Sequence, residues 1–261
     1  LSTAQITGVI GGPLLGGFLA DHVGLRMVFF ITAFLLLVSF MVTLFLIKEG
    51  PRPQLNKGEK LSGKAVFASL PYPGLVISLF VTTMVIQLCN GSISPILTLF
   101  IQSMSPDTGN IAFLSGMIAA VPGVSALMSA PRLGKLGDRI GTARILVATL
   151  IFAVVLFFAM SFVTTPLQLG ILRFILGFAD GAMLPAVQTL LLKYISERVT
   201  GRIFGYNQSF MYLGNVIGPL IGASVSAMAG FRWVFIVTAV IVLINLWQLA
   251  VMLRRTRPVR Q

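Results

Sequence analysis

Residues 12–33 read GPLLGGFLADHVGLRMVFFITA, and residues 218–239 repeat the pattern as GPLIGASVSAMAGFRWVFIVTA. Ten of these 22 aligned positions are identical without a gap, and most of the others are conservative exchanges. The offset of 206 residues is far longer than a solenoid period, so it indicates a duplicated unit of several helices. The stretch therefore predicts two copies of one helical unit, of which this 261-residue chain holds one whole copy and the last part of the other.

The composition is that of a membrane protein. Hydrophobic residues make up 56% of the chain and charged residues 10%, whereas soluble domains have about a quarter of their residues charged. Eight apolar runs are long enough to cross a bilayer, and they are continuous rather than alternating, which favours helices over barrel strands. They lie near residues 1–20, 27–47, 75–101, 111–130, 145–163, 167–192, 203–226 and 233–253. We expect an all-α polytopic protein with eight transmembrane helices.

The net charge of +12 is distributed to suit membrane topology. If the eight spans alternate in direction, 16 of the 19 basic residues fall on one side. They lie in the segments 48–74, 131–144 and 193–202 and in the tail from Arg254. By the positive-inside rule this side is cytoplasmic, so both ends of the chain are predicted to be cytoplasmic. The charge therefore indicates orientation in the lipid bilayer and no nucleic-acid partner.

The chain has one cysteine and one histidine, which are residues that commonly bind metals or take part in nucleophilic catalysis. Cys89 lies within a span, and His22 lies in a short outward loop. One cysteine and one histidine far apart in sequence supply neither a catalytic triad nor a zinc site. We expect no enzyme activity, no metal and no cofactor.

The duplication divides the chain into four parts. Residues 1–47 are predicted to be the last two helices of an N-terminal six-helix half, and 48–74 a mobile cytoplasmic linker. Residues 75–253 form the C-terminal six-helix half, and 254–261 a basic cytoplasmic tail. Projecting the repeat back places the first helix of the other half about 130 residues before Leu1, which predicts twelve spans for the intact protein.

The first span contains a glycine and proline pattern. Gly8, Gly12 and Gly16 share one helix face, where another helix could approach closely, and Pro13 should kink the helix. Packing alone could explain these residues. Together with Gly17, however, they match G-x-x-x-G-P-x-x-G-G, which resembles the antiporter signature in the fifth span of the major facilitator superfamily.

A second motif follows the fourth span. Gly134, Leu136, Asp138, Arg139 and Gly141 are similar to the superfamily's cytoplasmic-loop motif G-x-L-A-D-R-x-G-R-K. Thr142 and Ala143 replace the basic pair of the motif, which leaves Arg144 as the only basic residue after Gly141 in this segment. We expect a short glycine-rich loop that reverses the chain. Asp138 could latch onto the N-terminus of the helix that starts near Leu1, since exposed amides there favour a carboxylate. The alternative is a plain turn with solvated charges.

The sixth span carries two charges. Arg173 and Asp180 share a helix face, and each intramembrane charge costs about 2.5–3.5 kcal/mol on insertion scales. Such residues usually face a cavity or a partner, so both are candidates for proton or substrate handling. The alternative is a structural pair or a hydrogen bond to a neighbouring helix.

Two polar stripes complete the set of predicted site residues. Gln87, Asn90 and Ser94 follow one face of the third span, between Thr83 and Thr98, and the seventh span carries a second group. That group includes Asn207, Gln208 and Asn215. Polar stripes in a lipid-embedded bundle line water or bond to other helices, and we favour cavity lining.

The motifs resemble those of proton-coupled multidrug transporters of the major facilitator superfamily in Gram-negative bacteria, and stretches such as Ser129–Gly141 and Pro166–Phe174 extend the resemblance along the chain. It implies a monomeric inner-membrane antiporter that exports small amphiphilic drugs in exchange for protons by alternating access of two six-helix halves. A nutrient symporter or uniporter of the same superfamily is one alternative. An inactive truncated membrane fragment is another.

Overall fold

The chain folds into an all-helical bundle, seen in a computed structural model that describes residues 2–46, 63–68, 70–105 and 110–256. These ranges contain ten α-helices and one 3₁₀ turn at Glu197–Val199. The helices are α1 Ser2–Val23, α2 Leu25–Leu46, α3 Gly63–Ala68, α4 Pro73–Ile93, α5 Leu97–Met104, α6 Ile111–Ile140, α7 Thr142–Met160, α8 Pro166–Tyr194, α9 Thr200–Ala229 and α10 Phe231–Arg255.

Seven of these helices are long and apolar enough to cross a membrane. They are α2, α4, α6, α7, α8, α9 and α10. The first predicted span also forms a helix, α1, which contains five glycines and Pro13. The multi-pass helical architecture is thus confirmed, and the count of eight spans stays a prediction.

The third predicted span, residues 75–101, is interrupted. Helix α4 ends at Ile93, and the short helix α5 starts at Leu97 after a three-residue turn. Pro95 lies in that turn, where its missing amide hydrogen and its ring prevent continuation of the α4 hydrogen bonds. A single uninterrupted span was the wrong prediction for this segment.

The repeated segments have the same local structure. Gly24 joins α1 to α2 with φ +82°, and its counterpart Gly230 joins α9 to α10 with φ +94°. A residue with a side chain rarely adopts such backbone angles, so glycine permits a one-residue reversal between two long helices. The helix–glycine–helix unit is therefore what the sequence repeat encodes.

The cytoplasmic-loop motif is largely helical, which corrects the prediction of a glycine-rich loop. Helix α6 continues to Ile140, so Gly134, Asp138 and Arg139 lie in its last two turns, and only Gly141, at φ +103°, reverses the chain. A 30-residue helix is about 45 Å long, which exceeds the roughly 30 Å of bilayer hydrocarbon. The charged end of α6 can therefore extend into water without a break in the helix.

The predicted linker, 48–74, is more ordered at its end than expected. Its residues 48–62 and 69 lie outside the described ranges. Helix α3 falls within it, Val66 is fully buried, and the Phe67 ring packs 5.7 Å from the ring of Tyr206. These contacts place residues 63–68 against α9, and the linker role of 48–74 stays a prediction.

The core lies among the helices that follow the linker. Helix α4 packs against α9 and α10, and α8 packs against α6 and α7. Large buried side chains such as Phe80, Leu150 and Phe235 fill the space between them. In contrast, α2 contacts α1 and has no buried residue within Leu25–Phe45. Helix α1 reaches the core bundle through α6, and this contact positions the site.

Candidate functional site

A cavity of about 710 Å³ lies among α1, α4, α5, α6 and α8. Its volume is in the range of small-molecule sites, which is roughly 300–1,000 Å³. The cavity brings together eight of the residues that the sequence predicted as functional: Pro13, Gly16, Gly17, Gln87, Asn90, Ser94, Arg173 and Asp180. Residues from three separate predicted motifs therefore meet at one place.

Helix α8 places both intramembrane charges on the cavity wall. Arg173 and Asp180 are seven residues apart, which is two turns, or about 10 Å along the helix axis. Nε and Nη1 of Arg173 are buried and have no hydrogen-bond partner. A buried donor without a partner is costly, so these two nitrogen atoms make the position of Arg173 energetically unfavourable.

Small residues hold α8 close to α6 behind these charges. A Cβ atom at Gly177 would collide with Ser125 and Pro122, and one at Gly181 would meet the Ala126 carbonyl at 2.6 Å. Both glycines lie between or beside the charged positions on α8. The backbone of α8 is thereby fixed against α6, which positions Arg173 and Asp180 on the cavity wall.

The polar residues of the third predicted span either bond to α9 or line the cavity. Thr83, the first residue of this stripe in α4, is buried and donates a hydrogen bond of 2.8 Å from Oγ1 to Oδ1 of Asn207 on α9. Asn90, Ser94 and Thr98 line the cavity instead. Gln87 does both, because it lines the cavity and its Nε2 donates to Oδ1 of Asn215 at 3.3 Å.

The seventh-span residues lie away from the cavity. Asn207 is buried between α4 and α9, while Gln208 and Asn215 are exposed side chains of α9. None of the three lines the 710 Å³ cavity. The structure therefore connects Asn207 and Asn215 to the site only through their hydrogen bonds to α4, and their role in substrate binding stays a prediction.

Helices α1 and α6 approach each other backbone to backbone. A Cβ at Gly17 would meet the Ala112 carbonyl oxygen at 2.5 Å, and one at Gly116 would collide with the Pro13 carbonyl. Only residues without side chains permit such an approach. The contact runs antiparallel, since moving from Pro13 to Gly17 on α1 corresponds to moving from Gly116 back to Ala112 on α6.

The other glycines of the antiporter-like motif do not make this contact. No described atom lies within 4 Å of a Cβ built at Gly8, Gly12 or Gly16. Their counterparts in the repeat, Gly214, Gly218 and Gly222, each contact the backbone of α4. The close helix packing predicted for the glycine face is therefore formed in the second copy, and within the described ranges it is not formed in the first.

Asp21 is a site residue that the sequence reasoning missed. Its Oδ2 accepts a 2.7 Å hydrogen bond from the backbone amide of Phe113, in the first turn of α6. The Phe18 ring packs edge-on against Phe113, with centroids 6.1 Å apart. A carboxylate at a helix N-terminus satisfies a free amide and complements the helix dipole. The available signal was the pattern Gly17-Phe18-Leu19-Ala20-Asp21, which resembles the loop motif around Asp138.

The loop-motif residues lie at the opposite end of α6 from that contact. Gly134 and Asp138 line a small cavity of about 110 Å³, and Gly141 forms the turn. Arg139 is exposed, and Nη1 of Arg144 donates to the Ile140 carbonyl at 3.2 Å. The proposed latch partner at Leu1 lies outside the described residues, so the latch stays a prediction.

Within the described ranges, no group of three or more His, Cys, Asp and Glu side chains could hold a metal ion. The Cys89 side chain is buried in α4. His22 stacks on the Phe18 ring with centroids 4.2 Å apart. Both residues are accounted for by packing.

Comparison with known proteins gives a consistent picture along the whole chain. The sequence model described as "Major Facilitator Superfamily" matches residues 1–104 and 79–261. The chain is 60% identical over 255 residues to the multidrug resistance protein MdtG of Klebsiella pneumoniae, which covers 98% of this chain and 62% of that protein. It is 61% identical over 257 residues to MdtG of Escherichia fergusonii, covering 98% and 63%. The chain spans about three fifths of the length of these curated relatives.

Proposed function

The chain belongs to the Major Facilitator Superfamily, and on that premise we propose that it acts in the export of drugs and other amphiphilic compounds across the bacterial inner membrane in exchange for protons. The observation that carries this proposal is the cavity of about 710 Å³ within the helical bundle. Its wall combines uncharged polar groups with the two charged side chains of α8. Multidrug resistance proteins with 60% identity to nearly all of this chain support the same substrate class.

Alternating access supplies the mechanism. Residues 1–47 belong to an N-terminal half and 75–253 to a C-terminal half, so the contact between α1 and α6 lies between halves. When the halves rock about the cavity, that contact separates and reforms, which exposes the cavity to one side and then to the other. The intact protein acts as a monomer, and both ends of this chain face the cytoplasm.

Asp180 is the proposed proton carrier. Its carboxylate lies on the cavity wall, two helical turns from Arg173, whose Nε and Nη1 have no hydrogen-bond partner. A proton on Asp180 removes its charge, and loss of that proton restores it, so protonation changes the net charge that a substrate meets. Arg173 keeps its charge throughout and sets the field in which Asp180 exchanges its proton.

An efflux assay tests both the export and the role of Asp180. The natural gene product is expressed in a strain without its own efflux pumps, and retention of a fluorescent cationic dye is measured with and without an uncoupler. We expect the wild-type protein to lower dye retention until the uncoupler is added, and Asp180→Asn to abolish that export. Glu197→Gln is the matched control, because Glu197 is an exposed carboxylate away from the cavity.

The direction of proton movement separates drug export from nutrient uptake. In inverted membrane vesicles acidified inside, an antiporter dissipates the pH gradient when the drug is added, whereas a symporter does not release protons in exchange. Dye retention unchanged by the wild-type protein would contradict the export function. Export that persists in Asp180→Asn would remove Asp180 from proton coupling and leave the export function standing.

A further inference from the structure

A second cavity, of about 450 Å³, lies at the end of the bundle where α7 begins and α10 ends. Arg144 and Arg254 line it from two helices, and Tyr194 at the end of α8 lines it as well. Among the described residues, no aspartate or glutamate lines it. Two cations that face one space without a carboxylate create a site of positive potential, which favours an anion.

The residues of α7 that line the cavity change from charged to apolar along one helix face. Arg144, Val147, Ala148 and Ile151 are spaced at three or four residues, so they follow a single stripe. The stripe is about 10 Å long, and Ile151 at its far end is exposed. Leu253 provides the facing apolar surface on α10. The cavity is therefore a groove with a cationic end and an apolar floor that leads toward the hydrocarbon.

Two of the polar side chains are held in place. Nη1 of Arg144 donates to the carbonyl of Ile140, which leaves its other nitrogen atoms free to face the groove. The Tyr194 ring packs edge-on against the Tyr72 ring with centroids 5.8 Å apart. Arginine presents a planar set of donors that matches phosphate oxygens, and a held side chain loses less conformational freedom when it binds.

We propose that this groove binds an anionic phospholipid of the inner leaflet. Its phosphate lies between Arg144 and Arg254, and an acyl chain lies along Val147 and Ile151. Basic pockets between transmembrane helices on the cytoplasmic side are suited to such headgroups. A lipid fits better than a free phosphate because the apolar stripe would otherwise have no occupant. The inference rests on the proposed cytoplasmic placement of this end and not on drug export.

Native mass spectrometry of the purified full chain in detergent tests the site. The protein is mixed with phosphatidylglycerol, phosphatidylcholine or glycerol 3-phosphate, and the bound fraction is measured against concentration. We expect phosphatidylglycerol to bind more tightly than phosphatidylcholine. The double variant Arg144→Gln/Arg254→Gln should lose about 30-fold in phosphatidylglycerol affinity, as expected for two interfacial arginines.

The matched control is Arg255→Gln, which removes an exposed arginine next to Arg254 that does not line the groove. It should retain wild-type affinity.

Ala148→Trp fills the apolar floor of the groove and leaves both arginines in place, so it should also weaken lipid binding. It provides the test if the double variant does not fold. Equal losses in Arg255→Gln and in the double variant would overturn the proposal in favour of diffuse charge attraction. Displacement of the lipid by equimolar glycerol 3-phosphate would overturn it in favour of a small-anion site.

Discussion

At the residue scale, Asp21 makes a polar contact between α1 and α6. Its carboxylate accepts a hydrogen bond from Phe113 in the first turn of α6. Removing a side chain that caps a helix in this way costs about 0.5–2 kcal/mol. We predict that Asp21→Ala raises the ratio of molecules with α1 and α6 separated by about 2- to 30-fold. Spin labels at Val23 and Asn110, read as a distance distribution, measure the two populations.

Asp21→Asn provides the control for this prediction. Its side-chain oxygen can still accept the Phe113 hydrogen bond, but it lacks the charge that complements the helix dipole. We expect a population between those of the wild-type protein and Asp21→Ala. Identical distance distributions in all three proteins would show that the hydrogen bond does not influence how many molecules have α1 and α6 in contact.

The charged residues of α8 are a part of the candidate site that could be predicted from the sequence. Arg173 and Asp180 could be predicted because a charge within an apolar span is costly wherever it faces, and both do line the cavity. Asn207 could not be assigned in the same way. A polar stripe has the same spacing whether it meets water or another helix, and only the tertiary structure shows that Thr83 is its partner.

At the element scale, the glycines of α9 set the distance between α9 and α4. A Cβ atom at Gly218 would meet the Leu88 carbonyl at 2.5 Å, and backbone atoms cannot move aside as a flexible side chain can. We predict that Gly218→Ala destabilises the bundle by about 1–3 kcal/mol, as overpacking of a close contact does. Thermal unfolding in detergent should show a lower Tm.

Gly205→Ala on the same helix is the matched control. A Cβ there meets nothing within 4 Å, and alanine favours helix by up to about 1 kcal/mol over glycine. Its Tm should be equal to that of the wild-type protein or higher. If both variants lowered the Tm equally, the helix contact at Gly218 would not be what limits stability.

The residues at which helices end were harder to predict from the sequence than the presence of the helices. Pro95 was visible in the sequence, but the length of apolar sequence around it suggested one continuous span. Glycines and charges at 134–141 suggested a loop, although each glycine costs a helix only about 1 kcal/mol and α6 can extend into water. The first error came from giving the length of the apolar run more weight than Pro95, and the second from expecting the helix to end where the apolar run ends.

At the scale of the whole molecule, the side of the membrane on which the N-terminal end lies depends on whether α1 crosses it. Helix α1 has 22 residues, as α2 does. Its close contact with α6 at Pro13 and Gly17 places it beside a helix that is long and apolar enough to cross. A glycine-rich helix with protein on one side does not need the apolar surface of a lipid-exposed helix such as α2.

If α1 crosses, the turns at Gly24 and Gly230 lie on the same side, and the turn at Gly141 lies on the other with the C-terminus. From the distribution of basic residues, we expect Gly141 to lie in the cytoplasm. We predict that alkaline phosphatase inserted at Gly24 or Gly230 is active, because that enzyme works only outside the cytoplasm, and that a fusion at Gly141 is inactive.

A green fluorescent protein fused after residue 261 should fluoresce, and so should one fused ahead of Leu1. Fluorescence only at the C-terminal end would mean that α1 does not span the membrane, and the halves would then lack the symmetry that the repeat implies.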